Sequence, residues 1–405
     1  MPVPSPFISP ITCYRPSVDL ASEVAALPYD VFTQLEAKAE IARHPQSFLR
    51  IDLPSALLPD IDEHDDAVYQ LAFDLLQKDL DAGVYIEDKQ PSYYLYRLDT
   101  ANNSQTGVVS AVSSQAYKEG QVARHENTRV DKLQDRIKHI QTLNMQTGTI
   151  LLAHRPQPKL ASLLARITSE DAALYDFSSD DGVRHRVWQV QAGADTEAIE
   201  AELSQIKKLY IADGHHRAHA AVKTGAPDFL AVMFSADDLV TKGYHRLVRD
   251  LNGLDTQAFL KKLEVSFDVQ SNTQDAAISH GQPAQRGQIG MYLNGQWYRL
   301  QVREPLRSSD AADGLDVSYL QKNLFEAILG IQDPRQDARL EFLDGEQQAS
   351  DLAAAVDAKP GSVAFMLYPC SLQELFAVSD AQELMPPKST WFTPKLRCGL
   401  FLRPF

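Results

Sequence analysis

The chain has 405 residues, 44% of them hydrophobic, and a formal net charge of −15. That length allows roughly two or three domains with a sizeable core, and the composition is that of an ordinary globular protein. The acidity argues against a general nucleic-acid binder, which needs a basic face for phosphates, although a local basic pocket fits within an acidic chain.

The N-terminal stretch MPVPSPFISPITCYRP has neither a basic n-region nor an apolar h-region, so it does not read as a signal peptide. No apolar run is long enough to span a bilayer. Cys13, Cys370 and Cys398 are odd in number and widely spaced, which fits no disulfide framework and no zinc knuckle. The expectation is a soluble, cytoplasmic protein without nucleic-acid or membrane partners.

Helix and strand signals alternate from end to end, so the expected class is mixed α+β. In 66–83, Val68, Leu71, Ala72, Leu75 and Leu76 recur at helical spacing before Gly83, which predicts a helix. SYYLYRLD (92–99) and TGVVSAVS (106–113) predict strands. In 124–144, Leu133, Ile137, Ile140 and Leu143 share one helical face, and Thr128 with Asp131 fits a capping box with its N-cap at Thr128. His125, Glu126 and Asn127 then lie on the loop entering that helix. Further strands are predicted at 147–154, at 184–191 after an Asp181-Gly182 turn, and at the short buried run 209–212. The polar stretch 271–287 reads as a linker or surface loop. Asn294-Gly295 lies between two alternating runs in 288–302, the signal of a hairpin with a tight primed turn. A helix is predicted over 315–330, ended by Gly330.

Chemistry concentrates where LYIA gives way to Asp213-Gly214-His215-His216-Arg217 and then to an alanine-rich helix. The first N–H groups of a helix are unpaired, and the dipole adds partial positive charge, so this end suits an anion, phosphate above all. Glycine lets the backbone come close, Arg217 adds a bidentate fork, and His215 and His216 add donors. The bland alternative is a helix capped by Asp213 with surface histidines. A metal is the third reading, but adjacent histidines point apart and seldom share one ion. Arg124-His125-Glu126-Asn127-Thr128-Arg129 is the second constellation. By charge alone, Glu126 reads as an acid favoured by a helix N-terminus; as a general base it needs a hydroxyl within reach. His245 and Arg246 read either as a carboxylate-binding pair or as solvated charge. PPKSTWFTPK (386–395) carries Lys388, Ser389, Thr390 and Lys395 but has no Walker glycine pattern, so it is not a P-loop.

ALPYDVF, HPQSFLRID, YLYRL, HENTR, DGVRHRVW, YIADGHHRAHAA and MPPKSTWFTPKL occur here in the order in which they recur in the DUF1015 family, which this sequence resembles over nearly its whole length. That family is similar to the ParB/sulfiredoxin-like superfamily and its free serine kinases. The resemblance implies a ParB/sulfiredoxin-like nucleotide-binding core at 101–250. An N-terminal α/β region at 1–100 and a C-terminal α+β region at 251–405 would flank it. It also implies that Gly214, His215, His216 and Arg217 hold nucleotide phosphates, with Asp213 and His216 in catalytic roles. Glu126 matches the catalytic glutamate of the kinases, while Asn127, Thr128, Arg129, His245 and Arg246 are expected to bind substrate. The implied ligands are ATP or ADP with Mg²⁺, the ion riding on the nucleotide and touching Asp213 rather than sitting in a protein cage. The implied activity is phosphorylation of a small amino acid, free L-serine foremost, and a homodimer is allowed. A non-catalytic nucleotide-binding regulator is the alternative. A sulfiredoxin-like reductase would need a cysteine at the phosphate turn, where His215 stands.

Overall fold

The computed structural model describes residues 7–271 and 281–404. The class is mixed α+β. The chain packs as two compact units. One holds 7–124, 128–239 and 394–404; the other holds 125–127 and 240–393 apart from the residues not described. These units cut across the sequence division at 100 and 250.

The first unit is built on a mixed sheet of nine strands among the described residues. Asp228–Ser235 lies inside it, parallel to Ile150–His154 on one side and antiparallel to Ser104–Ser113 on the other. Its run FLAVMF is buried throughout, as expected of a strand covered on both faces. Tyr93–Asp99, Arg184–Val190 and Tyr175–Ser178 continue the sheet as an antiparallel meander. On the other side, Leu209–Asp213 pairs antiparallel with Ile150–His154 and parallel with Val122–Ala123. The pairing steps from Ile211↔Leu152 to Asp213↔Leu151, a β-bulge at the last residues of that strand. A bulge of this kind re-aims a side chain, here that of Asp213.

Leu95, Val108, Leu152, Ile211, Ala218, Phe229 and Ala231 belong to one buried cluster under this sheet. A second cluster joins Phe48, Leu49, Ala72, Leu76 and Tyr85 to Cys398 and Leu402. The C-terminal segment therefore threads into the first unit. It bridges Ala26 through Cys398 and Tyr14 through Leu402, and Arg403 pairs with Gln146.

The second unit carries an antiparallel sheet in the order Phe267–Ser271, Gln296–Val302, Gln288–Leu293, Val363–Leu367, His245–Val248, Leu340–Leu343. Leu247, Tyr292, Trp297, Leu352 and Ala364 pack on it. The hairpin forms as its turn chemistry predicts: Asn294 and Gly295 both have left-handed φ, 50° and 77°.

The helix expected at 66–83 runs Asp66–Asp81, and Gly83 follows at φ 72°. The strand expected from 147 begins only at Ile150. The helix expected at 315–330 starts at Asp316–Leu320 and widens into a π-helix over Gln321–Glu326 before Gly330 at φ 70°. The expected Thr128 capping box does not form. The N-cap is Arg129, without a side-chain cap, because the Thr128 hydroxyl is spent on His219 Nδ1 at 2.8 Å. Asp131 pairs instead with Arg129 at 2.6 Å. Most of the expected linker, 272–280, lies outside the described residues. The three cysteines are buried free thiols, and no helix among the described residues is long and apolar enough to cross a membrane.

Candidate functional site

In the first unit, the strand Leu209–Asp213 passes through Gly214 straight into the helix His215–Lys223. Gly214 is the N-cap, at φ 92° and ψ 31°, and no side chain caps this end. A residue with a Cβ is strained there, which explains the glycine. Asp213 does not cap the helix. Its Oδ1 accepts the Gly214 N–H at 2.9 Å, and its Oδ2 lies 3.2 Å from Lys395 Nζ.

A second helix, Val130–Leu143, begins beside this one. The Arg129 N–H donates to His216 Nε2 at 2.9 Å, and Thr128 holds His219 one turn further along. Two helix N-termini, neither capped by its own side chain, are thus tied together. The positive ends of their dipoles add at one place, and the Lys395 ammonium stands beside it, paired with Asp213.

Arg217 does not extend from the turn as the expected fork. It folds back beneath it, with its side chain 13% exposed. Its Nη1 donates to the Thr149 carbonyl at 2.6 Å, and its Nη2 lies 3.9 Å from Asp213. Burial opposes the Arg217 charge, but Asp213 and more distant acidic groups outweigh it and raise the pKa. The fit is close: a Cβ on Gly148 would sit 2.6 Å from Arg217 Cδ, and one on Gly214 3.1 Å from Arg217 Nε. Arg217 therefore clamps the 147–149 loop to the Gly214 turn. His215 is buried and His216 half-buried, with the His216 ring engaged as an acceptor.

In the second unit, the buried His125 is held on both sides by the 385–390 loop. Its carbonyl accepts the Met385 N–H at 2.8 Å, and its Nε2 lies 3.4 Å from Thr390 Oγ1. Glu126 is half-buried and Asn127 exposed. Arg246 is 4% exposed and donates to the carbonyls of Tyr244, His245, Pro387 and Lys388, with its guanidinium 4.4 Å from the Phe342 ring centroid. Burial pulls its pKa down to about 9, and the charges of Tyr244 and Glu126 resist. His245 Nδ1 accepts the Leu367 N–H at 3.2 Å; burial, then the charge of Arg246, lowers its pKa to about 4. This pair is neither solvated nor aimed outward. It pins the Pro387-Lys388 backbone to the strand His245–Val248.

Lys395 is the residue that sequence reasoning did not assign. It stands 182 positions from Asp213, and only the threading of the C-terminal segment brings the two together. The one signal in the sequence was a basic, aromatic C-terminal stretch in an acidic chain.

Asp213 does not fit a resident divalent ion. One of its oxygens is turned to its own backbone, and the other faces an ammonium group that a cation would have to displace.

Similar proteins are known from solved structures. A free serine kinase mutant in complex with ADP is 13% identical, with a TM-score of 0.38, over 72% of this chain and 92% of that one. A conserved hypothetical protein from Pyrococcus furiosus is 14% identical, with a TM-score of 0.37, over 72% and 92%. SbnI with a C-terminal truncation, from Staphylococcus aureus, is 11% identical, with a TM-score of 0.39, over 72% and 84%. No curated protein matches. The family described as "Protein of unknown function (DUF1015)" matches residues 8–318, and the chain belongs to that family.

Proposed function

We propose that this chain is a nucleotide-dependent small-molecule kinase that phosphorylates the hydroxyl of free L-serine to O-phosphoserine. One observation carries the reading. Two helix N-termini, at Gly214 and Arg129, are tied together beside Lys395, so that two dipole ends and an ammonium group favour a polyphosphate there. The nucleotide, ATP or ADP, is a substrate here, and Mg²⁺ enters with it on its phosphate oxygens. The identity of the acceptor and the ParB-like character of the core follow the resemblance in motif order.

In this reading Gly214, His215 and His216 present the turn, and Arg217 holds its shape from beneath. Asp213 sets Lys395. Glu126 takes the proton of the serine hydroxyl as its oxygen attacks the terminal phosphorus. The bond from that phosphorus to the bridging oxygen breaks, and the leaving nucleotide carries the negative charge that N–H groups and Lys395 stabilise. Such transfer depends mainly on positioning and charge neutralisation. Asn127, Thr128 and Arg129 belong to the loop that carries Glu126. Arg246, beside the neutral His245, supplies the buried positive charge that favours the carboxylate of the acceptor.

The test is nucleotide consumption with a panel of amino acids. Serine-dependent turnover is expected in the wild type, reduced at least about 100-fold in Glu126→Gln. A wild type without amino-acid-dependent turnover sinks the kinase reading. The inward engagement of His216 and Arg217 favours a second reading, a nucleotide-binding regulator that performs no transfer. Tight ADP binding without turnover of any acceptor is its signature.

A further inference from the structure

A cavity lies within the first unit, away from the Gly214 turn in sequence, with a volume of about 440 Å³. That falls in the range of small-molecule sites, roughly 300–1,000 Å³. Its walls are the segment from Ser22 to Phe32, the end of the helix Gln34–Arg43, and the Ser178–Asp181 turn; Arg397 also lines it.

Arg397 is the unusual residue. It is 7% exposed, yet it lines a cavity. Its Nη2 donates to Asp181 at 2.6 Å, and its Nε lies 3.5 Å from His185 Nε2. Burial, then the charge of Arg397, lowers the His185 pKa to about 3, so the ring stays neutral. Tyr96 fixes that ring through Nδ1 at 2.7 Å. The guanidinium is therefore held at Nη2 by Asp181, with Nε against the His185 ring. Nη1 has no hydrogen-bond partner among the described residues. A buried guanidinium held by one carboxylate, with one arm unused, is suited to a second anion.

The other charges of the cavity are mostly matched to one another. Arg43 pairs with Glu40 at 3.2 Å, and His44 lies 3.3 Å from Asp180. Glu23 is the exception, with no ion pair among the described residues. The cavity thus offers one fixed cation and one unmatched carboxylate, with Leu27 and Phe32 as an apolar wall.

We infer that this cavity binds a free amino acid or a similar zwitterion, its carboxylate on Arg397 and its ammonium group on Glu23. The inference is independent of the kinase reading and stands or falls without nucleotide.

The experiment is calorimetric titration of the full chain with the free amino acids, with propionate, methylamine and inorganic phosphate as controls. At least one amino acid is expected to bind, with each control at least about tenfold weaker. Glu23→Gln and Arg397→Lys should each weaken binding at least about tenfold. Glu23 is exposed, so its replacement leaves the fold intact even where Arg397→Lys disturbs the Asp181 turn. The inference is overturned if no amino acid binds, or if phosphate or propionate binds as well as the best amino acid. Binding that survives Glu23→Gln but is lost in Glu126→Gln also overturns it, because the amino acid then occupies the acceptor site.

Discussion

Gly214→Ala is the sharpest probe of the turn. Two effects add at that position. The backbone stands at φ 92°, where an L-residue with a Cβ is disfavoured by about 1–2 kcal/mol. The new Cβ would also meet Arg217 Nε and Nη2 at 3.1 Å and Cζ at 3.2 Å, so the guanidinium has to shift. The shift endangers the charged hydrogen bond to the Thr149 carbonyl, and such bonds contribute about 1.5–3 kcal/mol. Gly83→Ala provides the control: its φ is 72°, and nothing lies within 4 Å of its would-be Cβ. Gly83→Ala should therefore lose only the backbone term, and Gly214→Ala that term plus about 1.5 kcal/mol or more. Amide exchange in the strand Leu209–Asp213 reads the local stability, and calorimetric titration with ADP reads the site. ADP affinity should fall at least about tenfold in Gly214→Ala and stay unchanged in Gly83→Ala. Equal stability losses in the two variants, or unchanged ADP affinity in Gly214→Ala, would refute this account of the turn.

Three further outcomes are expected. Lys395→Met should weaken ADP binding at least about tenfold while leaving adenosine binding unchanged, because in the proposed site the lost charge faces phosphate; equal losses for both ligands would make the Asp213 pair purely structural. Thr128→Val removes the hydroxyl that meets His219, and should cost about 1 kcal/mol in urea denaturation; a larger loss of ADP affinity than of stability would show that Thr128 touches ligand. Acid should weaken both units: unfolded, His185 and His245 protonate near 6.5, but folded only near 3 and 4. The unfolded chain then binds more protons below pH 6.5, so stability is complete above that value. It decreases by up to about 1.4 kcal/mol per pH unit for each histidine as pH falls toward their folded values. A urea midpoint that is flat between pH 7 and 5 would contradict the burial assigned to these rings.

Much of this molecule is legible locally. The strand, glycine and helix succession at 209–223 follows from hydrophobic pattern and glycine alone, and the Asn294-Gly295 hairpin from turn chemistry. What was not legible is how side chains spend their bonds. Thr128 and Asp131 have the spacing of a capping box, but His219, on another helix, competes for the hydroxyl. Arg217 has the composition of a phosphate fork, but Gly148 leaves a space beneath the turn that its side chain fills. The π-helical widening at 321–326 leaves an apolar pattern that an α-helix shares. Lys395 and Arg397 were out of reach for a different reason. Both owe their places to long-range threading of the C-terminal segment into the first unit, which no local signal encodes.

The central claim is phosphoryl transfer to a free amino acid, and ³¹P NMR of the purified chain with magnesium, ATP or ADP, and L-serine tests it most directly. The account predicts a growing phosphomonoester resonance that matches O-phosphoserine, requires serine, and disappears in Glu126→Gln. Nucleotide that stays intact, or is hydrolysed to inorganic phosphate at the same rate with and without serine, would contradict it.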